Sequence, residues 1–217
     1  MDSDFWHRKW QANEIGFHNE EVNPLLLAHF AELSLSPGSR VFVPLCGKTR
    51  DIAWLLSRGY QVAGAELSEL AVDQLFAELG VKPEIAGAGD VKHYSAPDLD
   101  IFVGDIFKLT RKALGSIDAV FDRAALVALP EKMRTRYTSH IVDITCAAPQ
   151  LLLTFEYDQA AMAGPPFSVC DDEVQRHYKD SYRITAVASV DVAGGLKGKC
   201  AAKETAWLLK RSERQLS

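Results

Sequence analysis

The chain has 217 residues, 47% of them apolar, with 24 basic side chains against 29 acidic ones and a net charge of −5. That size and apolar content suit one α/β domain, residues 1–217, with residues 1–35 as an N-terminal extension and 40–217 as a core sheet. The acidic balance argues against nucleic acid as the main partner, and no apolar run approaches the ~18 residues of a membrane span.

In chain order, residues 3–12 read as a short helix carrying Phe5, Trp6 and Trp10, followed by the loop Asn13–His18. Asn23-Pro24 supplies a cap and a first-turn proline for a helix to about Leu33. Ser36–Ser39 is a turn, and Arg40–Val43 is the first strand. A helix with Ile52, Leu55 and Leu56 at helical spacing follows, then a second strand over 61–67. Ser68 caps a helix that runs to Gly80. Residues 81–98, with Lys82-Pro83 and Gly87–Asp90, read as an irregular excursion holding at most a small hairpin. Leu99–Val103, Ile117–Phe121 and Leu151–Phe155 are further strands; a long helix follows Pro130-Glu131, and Asp171–Glu173 open another with acids at its positive end. Residues 182–192 and 203–210 are strand-like and their connection is short, which permits only an antiparallel pair. The predicted architecture is therefore a Rossmann-like, mostly parallel seven-stranded sheet with a terminal antiparallel hairpin and helices on both faces, the arrangement of class I methyltransferases.

The chemistry concentrates where these strands end. Pro44–Thr49 form a turn after the first strand, and Glu66 closes the second, nineteen residues after Gly47. Strand, glycine turn, helix, then strand with a terminal acid is the nucleoside-binding half of a doubly wound sheet. Glycine admits a ligand close to the backbone, and a carboxylate accepts from both hydroxyls of a ribose. No G-x-G-x-x-G or G-x-x-x-x-G-K-[ST] run is present, so the turn suits a ribose-bearing ligand without a phosphate chain, best matched by S-adenosylmethionine. An ordinary strand–helix turn with an exposed acid is the competing reading.

Asp105-Ile106 and Asp122-Arg123 lie at the ends of the next two strands. Asp105-Ile106 suit an adenine edge and ring face, unless Asp105 only caps a helical turn. Arg123 suits the methionine carboxylate or an anionic substrate, unless it is spent on a salt bridge with Asp122 or the adjacent helix. Trp6, Trp10 and Phe17 suit an aromatic lid over a sulfonium, unless they pack the N-terminal helix onto the core. The six histidines lack ligand spacing and the four cysteines (Cys46, Cys146, Cys170, Cys200) lack C-x-x-C spacing, so no metal site is expected and the thiols read as free in a reducing cytosol. The polar N-terminus is unlike a signal peptide, and the expectation is a cytoplasmic monomer.

Phe42–Lys48, Ala65–Ser68, Asp122–Ala128 and Gly164–Phe167, with Trp6, Trp10 and Gly16–His18, together resemble the thiopurine S-methyltransferase family of bacterial type, over nearly the whole chain. The resemblance implies that Trp10, Leu45, Glu66 and Arg123 contact S-adenosylmethionine, which leaves as S-adenosylhomocysteine. It further implies that Asp105-Ile106 form the adenine-binding pair, with Asp105 acting through its backbone, and that Phe17 lines the substrate pocket. Ala124 stands where relatives carry glycine, one methyl of little expected consequence. The implied acceptors are thiopurines, related aromatic or heterocyclic thiols, and selenium or tellurium species. The alternatives are a halide or thiocyanate methyltransferase and a non-catalytic S-adenosylmethionine sensor. No general base is assigned; Arg123 is the candidate for stabilising an anionic acceptor.

Overall fold

Side-chain caps set several of the helix starts. The computed structural model describes residues 3–15 and 21–212, beginning with α1 (Ser3–Gln11). Asn23 Oδ1 accepts from the backbone N–H groups of Leu25 and Leu26 to open α2 (Pro24–His29), which tightens into a 3-10 turn over Phe30–Leu33 rather than continuing as one helix. β1 (Arg40–Pro44) leads to α3 (Arg50–Ser57), capped by Thr49, and β2 (Gln61–Glu66) leads to α4 (Glu69–Leu79), capped by Ser68 and stopped by left-handed Gly80. Then come β3 (Glu84–Ala88), β4 (Val91–Ala96), β5 (Leu99–Val103), α5 (Arg111–Leu114), β6 (Ala119–Asp122) and α6 (Glu131–Ile144). β7 (Gln150–Tyr157), α7 (Asp171–Tyr178), β8 (Tyr182–Asp191) and β9 (Ala202–Arg211) complete the described chain.

The strands form one sheet in the order β3-β4-β5-β2-β1-β6-β7-β9-β8. β5, β2, β1, β6 and β7 run parallel, while β9 inserts antiparallel between β7 and β8. Among the described residues the sheet has nine strands rather than seven. The extra two are β3 and β4, an antiparallel hairpin that extends the sheet through β5, in the stretch expected to be irregular with at most a small hairpin. The signal was weak because β3 is an edge strand exposed along nearly its whole length, so it carries no alternating apolar pattern; Ile85 stands exposed on it.

Alternation along the parallel strands divides the core in two. Val41 and Val43 face α2, α3 and α4 with Ile101 and Phe121, whereas Phe42 faces α6 and α7 with Phe102, Val120 and Leu152. Helices thus cover both faces. The parallel strands all deliver their carboxyl ends to one rim. Because β9 runs against β7, its beginning lies at that same rim, with Glu204 opposite Phe155. No helix among the described residues is long and apolar enough to cross a membrane.

Gly64 in β2 is a packing requirement rather than a turn. A Cβ there would lie 2.6 Å from Ile101 Cδ1 and 2.9 Å from Cys46 Sγ. Gly64→Ala is expected to cost about 1–3 kcal/mol by overpacking, lowering Tm by about 3–10 °C. A thermal melt followed by circular dichroism checks this, and an unchanged midpoint would mean that the β2–β5 layer yields.

Candidate active site

A cleft of about 1100 Å³ opens at the carboxyl rim of the sheet, between α1 on one side and the 164–166 loop on the other. At its base the chain after β1 turns sharply: Leu45 takes a φ of 46° and Gly47 one of 53°. Leu45 is therefore a non-glycine residue held in the left-handed region, a strained conformation characteristic of ligand-binding turns. A Cβ on Gly47 would stand 3.0 Å from Cζ2 of Trp10, so the indole of α1 lies against the bare glycine backbone. Trp10 is buried, as the packing reading has it, and it also lines the cleft. Trp6, half-buried, also lines the cleft and meets Phe5 edge-on at 5.2 Å.

Glu66 joins two turns. Gly47 N donates to its Oε2 and Ser68 N to its Oε1, both at 2.8 Å. Burial pushes its carboxyl above the ordinary range, while the N–H groups of Ser68, Gly47 and Leu67 and the charge of His7 pull the other way. Each oxygen keeps further acceptor capacity beyond its one backbone bond. Glu66 is thus a buried, oriented acceptor in the cleft wall, not the exposed acid of an ordinary turn.

Asp105 behaves as a cap. Its Oδ1 accepts from Phe107 N at 3.0 Å and opens the 3-10 turn Ile106–Lys108, so its carboxylate serves the chain itself. Ile106 is buried in the wall, its carbonyl accepting from His140 Nε2 at 2.8 Å. Beside it the Phe107 ring carries the Arg136 guanidinium 3.9 Å above its centroid, a cation–π contact. Phe17 lies outside the described residues.

Arg123 is partnered, and not with its neighbour Asp122. Its Nη1 donates to Thr49 Oγ1 at 3.3 Å and lies 3.4 Å from Asp51 Oδ2, the fully buried acid of α3. Asp122 instead accepts from Tyr137 Oη at 2.7 Å and Leu126 N at 3.1 Å, and burial pushes its carboxyl up to about 6. Those bonds shape the loop that delivers Arg123, in which Ala124 takes a φ of 61°. The methyl at 124 therefore has a cost that its size alone did not suggest.

The far half of the cleft is built by residues that the sequence reading did not single out: Met133, Phe155, Leu196, Lys197 and Glu204. Gly164, Pro165 and Pro166 form the wall opposite α1. That wall is fastened by Tyr157 Oη donating to Pro166 O at 2.6 Å, Lys197 Nζ to Pro165 O at 2.8 Å and Phe167 N to Val127 O at 2.6 Å. Phe167 does not line the cleft; its ring packs against Gly164, with the Arg134 guanidinium 6.0 Å from its centroid. The acid Glu204, just before the apolar run Ala206–Leu209 of its strand, was the one legible signal for this half. It was missed because a carboxylate near a strand start also reads as an ordinary exposed end. Among the described residues no group of three or more His, Cys, Asp or Glu side chains is placed to hold a metal ion.

The family model for thiopurine S-methyltransferase (TPMT) matches residues 1–212. A thiopurine S-methyltransferase of Xanthobacter autotrophicus is 58% identical over 213 residues, covering 98% of this chain and all of that protein. One of Teredinibacter turnerae is 50% identical over 98% of this chain and 99% of its own. Among solved structures, a magnesium protoporphyrin IX methyltransferase of Synechocystis with bound S-adenosylhomocysteine superposes with a TM-score of 0.65 at 13% identity, covering 97% of this chain and all of that one. A 1,6-didemethyltoxoflavin-N1-methyltransferase of Burkholderia thailandensis does so with a TM-score of 0.65 at 16% identity, over 97% and 87% of the two chains. At such identities these two establish the fold.

A side chain at a left-handed φ costs about 1–2 kcal/mol, of which glycine returns about 0.4–1 kcal/mol through its freer unfolded chain. Ala124→Gly is accordingly expected to stabilise the protein by about 0.5–1 kcal/mol and raise Tm by about 1–4 °C in a thermal melt. A lower midpoint would show that the loop does not carry this strain.

Proposed function

The chain belongs to the thiopurine S-methyltransferase family, and we propose that its cleft holds S-adenosylmethionine across the tips of β1, β2 and β5 while a flat aromatic or heterocyclic thiol occupies the space over β6, β7 and β9. The observation that carries this reading is Glu66: a buried carboxylate at the end of β2, held by backbone N–H groups on both oxygens, beside a glycine with an indole lying on it. The residues fit the cofactor. The carboxylate is an acceptor pair for ribose hydroxyls, Ile106 and the backbone at Asp105 offer an adenine wall, and Trp10 and Leu45 close the adenosyl half. The volume exceeds what a nucleoside alone fills and accommodates a small second substrate.

S-adenosylmethionine supplies a methyl group activated on a sulfonium sulfur. The protein's part is to align the acceptor, exclude water and balance charge, and alignment contributes roughly 7–11 kcal/mol in the best intramolecular cases. The ring faces of Trp6 and Trp10 favour a cation. Phe155, Met133, Pro165 and Pro166 give the acceptor half apolar walls suited to a ring. Arg123, already paired with Asp51, presents a charge that is partly balanced before any substrate enters. This makes it a holder of developing negative charge on sulfur rather than a free anion trap. Soft, polarisable selenium and tellurium nucleophiles suit the same surroundings. A halide or thiocyanate ion would leave most of the acceptor half unfilled, so the ring-bearing thiol is preferred.

Two charge-assisted hydrogen bonds, at about 1.5–3 kcal/mol each, connect Glu66 to this function. Glu66→Ala is expected to weaken S-adenosylhomocysteine binding by at least about 100-fold by calorimetry, with the fold checked by circular dichroism. The wild type is expected to convert 6-mercaptopurine to its S-methyl thioether. Unchanged nucleoside affinity in the variant would remove Glu66 from the cofactor site.

A further inference from the structure

One carboxylate of the acceptor half has no task in the account so far. Glu204 stands near the start of β9, which the antiparallel insertion brings to the same rim as Arg123 and Phe155. Its side chain accepts a hydrogen bond from the Asn23 amide and sits within electrostatic reach of Arg123. The other acids lining the cleft have tasks of their own, Glu66 at the ribose of the proposed cofactor. Glu66 is bound on both oxygens by backbone N–H groups; Asp51 is fully buried and receives Asn23 N, Thr49 Oγ1 and Arg123. Asp105 caps its own turn, and Glu14 is paired with Lys9.

We propose that Glu204 is the proton acceptor that generates the sulfur nucleophile from a neutral bound thiol. This rests on the S-methyltransferase reading above. The S–H bond of the acceptor, or the ring N–H of its thione tautomer, breaks; the electron pair stays on the acceptor and settles on sulfur, and an O–H bond forms on Glu204. That sulfur then takes the methyl group as its bond to the sulfonium breaks, and Glu204 returns its proton to water.

Three features support the assignment. Arg123 lies beside both the carboxylate and the acceptor half, so a negative charge that moves from oxygen to sulfur stays close to the same guanidinium. The bond from Asn23 leaves Glu204 with spare acceptor capacity, and Asn23 is itself fixed by capping α2 and donating to Asp51. Burial pushes the Glu204 carboxyl above its ordinary range, opposed by Arg123 and the Asn23 bond, which narrows the gap to a thiol. The charged groups around it are Arg123 at the end of β6 and Asp51 of α3, one hydrogen-bonded step away through Asn23. Lys197 of the β8–β9 connection lines the same cleft.

The test compares two thiols of different acidity in wild type and Glu204→Gln, a variant that keeps an acceptor for Asn23. With a weakly acidic heterocyclic thiol, kcat/KM is expected to fall about 100-fold. With an aromatic thiol already ionised at neutral pH, it is expected to fall less than about threefold. In the wild type the weakly acidic thiol reacts faster as pH rises through the elevated Glu204 pKa, and the variant lacks that limb. Calorimetry with S-adenosylhomocysteine should give equal affinity for both proteins. Equal losses with both thiols, or none, would overturn the proposal, as would a wild-type profile without the limb if the variant fails to fold. A wild type that binds S-adenosylhomocysteine yet methylates no thiol would instead overturn the S-methyltransferase reading itself.

Discussion

The cleft is organised around a carboxylate that the protein binds with its own backbone. Glu66 takes one N–H from the turn after β1 and one from the turn after β2, so two loops that share only a sheet edge are locked in a single geometry. A carboxylate removed from water is unfavourable unless its lone pairs are met, and here the partners are two peptide groups that the turns themselves leave unpaired. The left-handed conformations of Leu45 and Gly47 aim one of those N–H groups, and Trp10 can lie flat on the turn because position 47 has no Cβ. The shape of the cleft floor, turn strain and the docking of α1 thus depend on the same few atoms.

Strand polarity does the corresponding work on the other side. Parallel strands alone present only their carboxyl ends at the rim, and their terminal residues supply Glu66, Gly104-Asp105 and Arg123. Inserting β9 in the opposite sense places the start of a strand among those ends. That is how an acid from late in the chain and an asparagine from before β1 come to share one hydrogen bond.

How much of this was legible in the sequence depended on how local each cause was. Caps at Asn23 and Ser68, the parallel strands and the terminal hairpin follow from neighbouring residues, and they appear where side-chain chemistry and periodicity put them. Glu66 and Gly47 could be paired because their separation is that of one crossover unit. The β3–β4 hairpin was legible only as a small hairpin at most within an irregular stretch, since its edge strand is exposed and joins the sheet through β4, which pairs with β5. Arg123 was correctly located while its partner depended on tertiary placement: Asp122, adjacent in sequence, points its bonds to Tyr137 and Leu126, and Asp51 takes the guanidinium from across the cleft. The left-handed Ala124 has no local signature at all, and the place of Glu204 at the rim follows only from the antiparallel insertion of β9.

Arg123 then acquires a different meaning from the one its charge suggests. An unpaired guanidinium would bind any anion, and a cleft built that way would favour inorganic ions over a neutral ring. With Asp51 fully buried against it, part of its charge is already balanced, and Glu204 lies within reach of the remainder. Entry of a neutral thiol disturbs this balance little, whereas entry of a second anion adds to two carboxylates already present. On the proposed reading, this charge arrangement suits acceptors that arrive neutral and become anionic in place, and it makes the proton on sulfur, rather than the charge on the substrate, the quantity that the acceptor half would manage.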